Sequence, residues 1–190
     1  MTSRTSGPAH LVTNVLNPFV IFTALYALVA LSRVPVEDAV LYVALDLLAA
    51  AVVVGYVLHM RRRKRVGNFW ISARAERLVP ALVLLGAFVA LLAALFLLNA
   101  PRDLFLLTLS MGLASAAVAA ITLLWKASAH CAVAGYAAPA GLLLLGPLGL
   151  IFLFALPLVV WSRVMLTAHT LSQTLAGTVV GAAFALLLLV

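Results

Sequence analysis

Three short stretches collect most of the polar side chains in an otherwise apolar chain. They are Arg74-Ala75-Glu76-Arg77-Leu78-Val79-Pro80, Lys126-Ala127-Ser128-Ala129-His130, and Ser162-Arg163 with His169-Thr170-Leu171-Ser172-Gln173 downstream. Between them they supply Arg74, Arg77, Lys126, Ser128, His130, Ser162, Arg163 and His169. Guanidinium groups bind phosphate oxygens through paired hydrogen bonds, and serine hydroxyls add neutral donors. One imidazole can attack phosphorus while a second protonates the leaving oxygen, giving covalent phosphoryl transfer without a metal. The main catalytic demand is charge stabilisation on the equatorial oxygens, and a cluster of cations meets it. A divalent metal suits the set poorly, because Glu76 is the one carboxylate among many cations. No cofactor is expected.

These residues must be held by helices in a bilayer. Of 190 residues, 66% are hydrophobic and 9% are charged, where a soluble domain carries about a quarter charged residues. Too few polar side chains are present to cover a soluble exterior, so lipid must be the solvent for most of the surface. About 20 apolar residues are needed for one crossing. On that length the chain divides into segments over about 15–31, 38–60, 80–98, 104–125 and 171–190, with a longer apolar run from 132 to 161. That run is too long for one ordinary helix, and Gly146-Pro147 is a natural turn, so two short helices are expected there. The fold class is an all-α integral membrane protein, one polytopic bundle of six or seven transmembrane helices over 1–190. The first segment is followed by Ser32-Arg33-Val34-Pro35 without a small-residue cleavage pattern, so it is expected to remain a span.

With seven crossings, the N-terminus and the three polar stretches fall on one face, and Arg33, Arg102 and the C-terminus on the other. The net charge of +7 is concentrated in Arg61-Arg62-Arg63-Lys64-Arg65. Directly after a spanning segment, such a run sets topology and touches anionic headgroups, and nucleic acid is not an expected partner. Residues 61–78 then form a basic interfacial loop. Basic residues near helix ends favour the cytoplasmic side, so the site is expected on the cytoplasmic face of the cell membrane. Trp70, Trp125 and Trp161 lie near proposed helix ends and read as an aromatic belt. The single Cys131 excludes an internal disulfide. Ala114, Ser115, Ala116 and Ala119 read as helix-packing surface. His59 reads as interfacial and His10 as unstructured. Asp46, inside the second segment, costs roughly 2.5–3.5 kcal/mol if charged at the centre of a span, so it needs a partner or a polar cavity.

The polar stretches resemble the signatures of the type 2 phosphatidic acid phosphatase family, which shares its active site with vanadium haloperoxidases. The resemblance covers residues 74–185. Ser162, Arg163 and His169 match the last signature (Ser-Arg, five residues, His, three residues, Asp) in type and spacing. Leu175-Ala176-Gly177 is also typical of the succeeding helix. Ser128 and His130 match the second signature, Pro-Ser-Gly-His, within Ala127-Ser128-Ala129-His130. The first signature, Lys, six residues, Arg-Pro, is represented by Arg77, with Trp70 in the Lys position and Pro80 displaced. The resemblance implies that His169 attacks phosphorus, that His130 protonates the leaving oxygen, and that Arg77, Ser128 and Arg163 hold the phosphate, with Ser162 in the same phosphate-binding set. Arg74 or Lys126 would replace the charge of the missing Lys. Gln173 occupies the position of the family's Asp; its carboxamide can orient His169 but adds no negative charge. The implied substrate is a lipid phosphate or an isoprenoid diphosphate. The alternative is a non-catalytic membrane protein of the same fold that binds anionic lipid or a partner.

Overall fold

The computed structural model describes residues 6–66, 76 and 78–190. Eight α-helices occupy the described residues: α1 (Ser6–Val15), α2 (Pro18–Arg33), α3 (Val36–Arg62), α4 (Leu78–Leu97), α5 (Arg102–Leu124), α6 (Ala129–Leu145), α7 (Leu150–Met165) and α8 (Leu171–Ala185). Short 3-10 turns follow α6 at Gly146–Gly149 and α8 at Leu186–Leu189. The chain is a polytopic all-α membrane protein. Among the described residues, five stretches are long and apolar enough to cross a bilayer, or six when α1 and α2 are taken as one broken span.

One of the five, Ala129–Met165, is a hairpin of two helices rather than one 37-residue rod. Gly146 turns it at φ +58°, a backbone region that residues with a Cβ avoid. Beyond the turn, Gly149 lies so close to Gly141 that a Cβ on either would strike the other arm. Eight residues of continuous helix would separate those two glycines by about 12 Å. The expected split at Gly146-Pro147 is therefore observed.

α1 corrects one expectation. The residues before Asn17 form a helix of 10 residues, about two and a half turns of it ahead of the expected span, and His10 lies on it as an exposed helical residue instead of in an unstructured tail. The break between α1 and α2 has a local cause. Asn17 caps α2 by accepting the Val20 N–H at 3.1 Å, and Pro18 at the first helical position cannot donate to α1. The two axes meet at 43°.

α6 is the central helix, with ten of its 17 residues buried, most of them Ala or Gly. Small residues let neighbouring backbones approach. Gly135 faces the backbone of Thr178, Gly177 faces the Ser128 carbonyl, and Gly181 faces the Ala132 carbonyl, in each case with no room for a methyl group. Tyr136 joins α6 to α5 through Ser110 Oγ at 2.6 Å and the Leu107 carbonyl at 3.1 Å. Around this axis Leu25, Tyr26, Leu95, Leu104, Leu107 and Met111 form the fully buried core.

The two ends of the bundle differ chemically. At one end Arg33 pairs with Asp103 and donates to the Leu144 carbonyl at 3.0 Å, and Arg102 reaches the Val190 carbonyl. At the other lie the basic C-terminus of α3 and the loops 125–128 and 166–170. Arg61 and Arg62 are the last turn of α3, so the basic run begins inside the helix. Trp125 and Trp161 are both exposed towards this end.

Candidate active site

Two loops and two helix starts build the site at the basic end. α7 stops at Met165 in a Schellman turn: Ala168 N–H donates to the Arg163 carbonyl at 3.1 Å and Thr167 N–H to the Val164 carbonyl at 2.9 Å. Thr167 holds φ +50° to do so. The same Arg163 carbonyl accepts the His169 N–H at 3.3 Å, which ties the backbone of His169 to Arg163 across five intervening residues.

The 125–128 loop is fastened once to this turn and once to the first turn of α8. Lys126 Nζ donates to the Ala168 carbonyl at 2.7 Å, and Ser128 N–H donates to the Gln173 carbonyl at 3.2 Å. The second and third polar stretches are therefore neighbours, as the sequence requires. His130, in the first turn of α6, is buried and lies close enough to Arg163 and His169 for both to act on it electrostatically. Arg163 is also buried. It donates to Thr13 Oγ1 on α1 at 2.8 Å, and its Nε has no hydrogen-bond partner among the described residues. A buried charged donor without a partner is costly, and a bound anion would satisfy it.

His130, Arg163 and His169 line the end of a cavity of about 470 Å³ that lies towards the basic end of the bundle. Its walls are apolar, with Phe22, Val53, Leu85, Phe88 and Val118 among them, and the start of α4 at Leu78 and Pro80 borders it. It runs inward between α2, α3, α4 and α5 as far as Asp46. Asp46 is buried and accepts a hydrogen bond from Thr23 at 2.6 Å, which identifies the partner that a carboxyl at this depth needs.

Not all the expected residues reach this cavity. Ser128 is fully buried and caps α6, its Oγ accepting the Cys131 N–H at 3.4 Å. Ser162 is fully buried too, and its hydroxyl donates to the Val159 carbonyl of its own helix at 2.8 Å. Neither lines the cavity. Gln173 forms a capping box with Thr170: its Oε1 accepts the Thr170 N–H at 3.2 Å while Thr170 Oγ1 accepts the Gln173 N–H at 3.4 Å. The side chain placed by sequence as the orienter of His169 thus holds the backbone immediately after it. Arg74 and Arg77 lie outside the described residues, so the first polar stretch is represented by Glu76 and by Leu78–Pro80 at the start of α4.

Sequence reasoning missed the structural roles of four residues. Thr13 anchors Arg163 from a helix that the hydropathy pattern did not reveal. Thr23 partners Asp46 from 23 residues away. Gly177 and Gly181 let α8 seat against α6 beneath the site, and these two carry a legible signal, the Gly-x-x-x-Gly spacing of close helix pairs. No family model, curated protein or solved structure matches the chain.

Proposed function

We propose that the chain is a membrane phosphatase that hydrolyses a lipid phosphate or isoprenoid diphosphate through a phosphohistidine, without a metal. The observation that carries this reading is the meeting of His130, Arg163 and His169 along one largely apolar cavity between the helices. A guanidinium beside two imidazoles suits a phosphate group, and an apolar cavity next to it suits a tail.

In this reading His169 attacks phosphorus through an imidazole nitrogen. With Nδ1 buried, Nε2 is the nitrogen left for that role. The bond from phosphorus to the lipid oxygen breaks, and His130 gives its proton to that oxygen, releasing the lipid alcohol or monophosphate. Water then attacks the phosphohistidine, its proton passes to His130, and inorganic phosphate leaves with both imidazoles restored. Arg163 offers Nε to the phosphate while Thr13 fixes its other end. Lys126 pins the loop that carries His169. Arg77 and Arg74 would add positive charge, as the sequence resemblance implies, and Ser128 and Ser162 would act by holding the helix ends beside the histidines.

The capping of α8 by Gln173 favours a second reading, a non-catalytic protein of the same fold that binds anionic lipid. The two are separated by phosphate release from a panel of lipid phosphates, using purified protein in detergent. Release that is stopped by vanadate and indifferent to EDTA supports the enzyme. Binding of the same lipids without release supports the second reading. The active site is proposed to face the cytoplasm of the cell membrane, on the distribution of basic residues.

A further inference from the structure

The cavity has a floor, and the floor is polar. Its deepest lining residues are Thr23 on α2, Asp46 on α3, Leu91 on α4 and Met111 on α5. One turn further in, Tyr26, Tyr42, Leu95 and Leu107 are buried at 0–7% exposure and belong to the packed core, so the space ends there. Thr122 on α5 lines the cavity at the level of the site, one turn before the loop that leads to Ser128 and His130. From Thr122 to Met111 the helix rises about 16 Å, which is the room available to a tail whose phosphate sits beside His130, Arg163 and His169.

We propose that Asp46, held by Thr23, measures the hydrocarbon tail of the substrate and selects chains that stop short of the floor. The inference rests on the lipid phosphatase reading for the identity of the headgroup. A carboxyl needed only for packing would be enclosed by its own hydrogen bonds. Here the hydrogen bond to Asp46 among the described residues comes from Thr23 Oγ1 to Oδ2, and the residue still borders the cavity. A tail short of the floor leaves space for water at the carboxyl. A tail that reaches it presses methylene groups against a polar group, strips that water and offers no hydrogen bond in return. Beyond that point Tyr26 and Tyr42 block further entry.

The test compares octyl, dodecyl and hexadecyl phosphate as substrates, and the matching alkylphosphonates as ligands that are not cleaved, on the full chain in detergent. Wild type should favour dodecyl over hexadecyl in kcat/KM and in phosphonate binding. Asp46→Ala should raise the hexadecyl-to-dodecyl ratio about tenfold in both, the worth of roughly two newly buried methylene groups. Asp46→Asn, still polar, should stay near wild type. Should Asp46→Ala fail to fold, Asp46→Leu removes the carboxyl while keeping bulk and should move the ratio in the same direction. A folded Asp46→Ala or Asp46→Leu protein with the wild-type tail preference overturns the proposal. Phosphonate binding that follows tail length, and shifts in Asp46→Ala, with no phosphate release from any substrate, leaves the tail measure standing and overturns the phosphatase reading instead. Neither binding nor release overturns both.

Discussion

The two histidines differ in what their loss should do. If the proposed reaction holds, His169→Ala removes the nucleophile, so phosphate release should vanish with the fold intact, as read by melting temperature and by retained phosphonate binding. In the same proposal His130→Ala removes only the proton donor. Its kcat should fall by about 10²–10⁴-fold, the usual contribution of a positioned general acid. Gln173 is a subtler case. Its carboxamide caps α8 through the Thr170 N–H, one residue from His169. Gln173→Ala should cost about 1 kcal/mol of stability through the lost cap. It should also lower kcat more than it raises KM, because the backbone that carries His169 loosens. Gln173→Glu can make the same cap and should recover both. A Gln173→Ala protein that is less stable but has unchanged kcat would show that the cap does not position His169.

At the scale of elements, the site depends on how closely α8 approaches α6. A methyl group on Gly181 would sit 1.9 Å from the Ala132 carbonyl oxygen, and one on Gly177 would sit 2.4 Å from the Ser128 carbonyl oxygen. Both obstacles are backbone, so the helices themselves must part. Gly177→Ala and Gly181→Ala should each destabilise by about 1–3 kcal/mol, as overpacked positions do. Gly177→Ala should also reduce turnover, since Ser128 leads directly into His130. Gly55→Ala and Gly86→Ala meet nothing within 4 Å and should be neutral or stabilising by up to about 1 kcal/mol. Thermal melts in detergent, with phosphate release, check all four. These contacts also mark how far the sequence could be read. Hydropathy located α2 to α8 because lipid demands long apolar runs, and Gly146-Pro147 split the hairpin because a turn demands a residue free of Cβ strain. Hydropathy missed α1, which holds no full span. It also gave no account of how α3, α4 and α7 end, because each stops in a Schellman turn whose positive-φ residue is Lys64, Asn99 or Thr167 rather than the glycine such turns prefer. Spacing grouped His130, Arg163 and His169, and the three line one cavity. The uses of Ser128, Ser162 and Gln173 as caps and back-bonded hydroxyls depend on where each side chain finds a neighbouring backbone group, and no spacing rule states that.

For the whole molecule the open question is which side of the membrane the basic end faces. The structure puts Lys126, Arg163 and the C-terminus of α3 at the end opposite the Arg33–Asp103 pair and Val190. Setting aside the site candidates Arg74, Arg77, Lys126 and Arg163, the sequence assigns Arg4 and Arg61-Arg62-Arg63-Lys64-Arg65 to the basic end, against Arg33 and Arg102 at the other. Arg33 is further offset by Asp103, and Glu37 and Asp38 open α3 on that side. Basic residues beside helix ends resist translocation, so the basic end should lie in the cytoplasm. The lipid phosphate would then be drawn from the cytoplasmic leaflet, where anionic headgroups also favour the basic run. The expectation runs against the resemblance, since the family's usual arrangement puts its site on the opposite side. Cysteine labelling decides it cleanly, because the native Cys131 is fully buried. Lys64→Cys, exposed at the basic end, should resist an impermeant thiol reagent in intact cells and react after permeabilisation. Glu37→Cys, exposed at the other end, should react in intact cells. A reporter fused after Val190 should be active outside the cytoplasm. Labelling of Lys64→Cys from outside, with Glu37→Cys protected and the fused reporter cytoplasmic, would reverse the assignment and give the site the family's usual orientation.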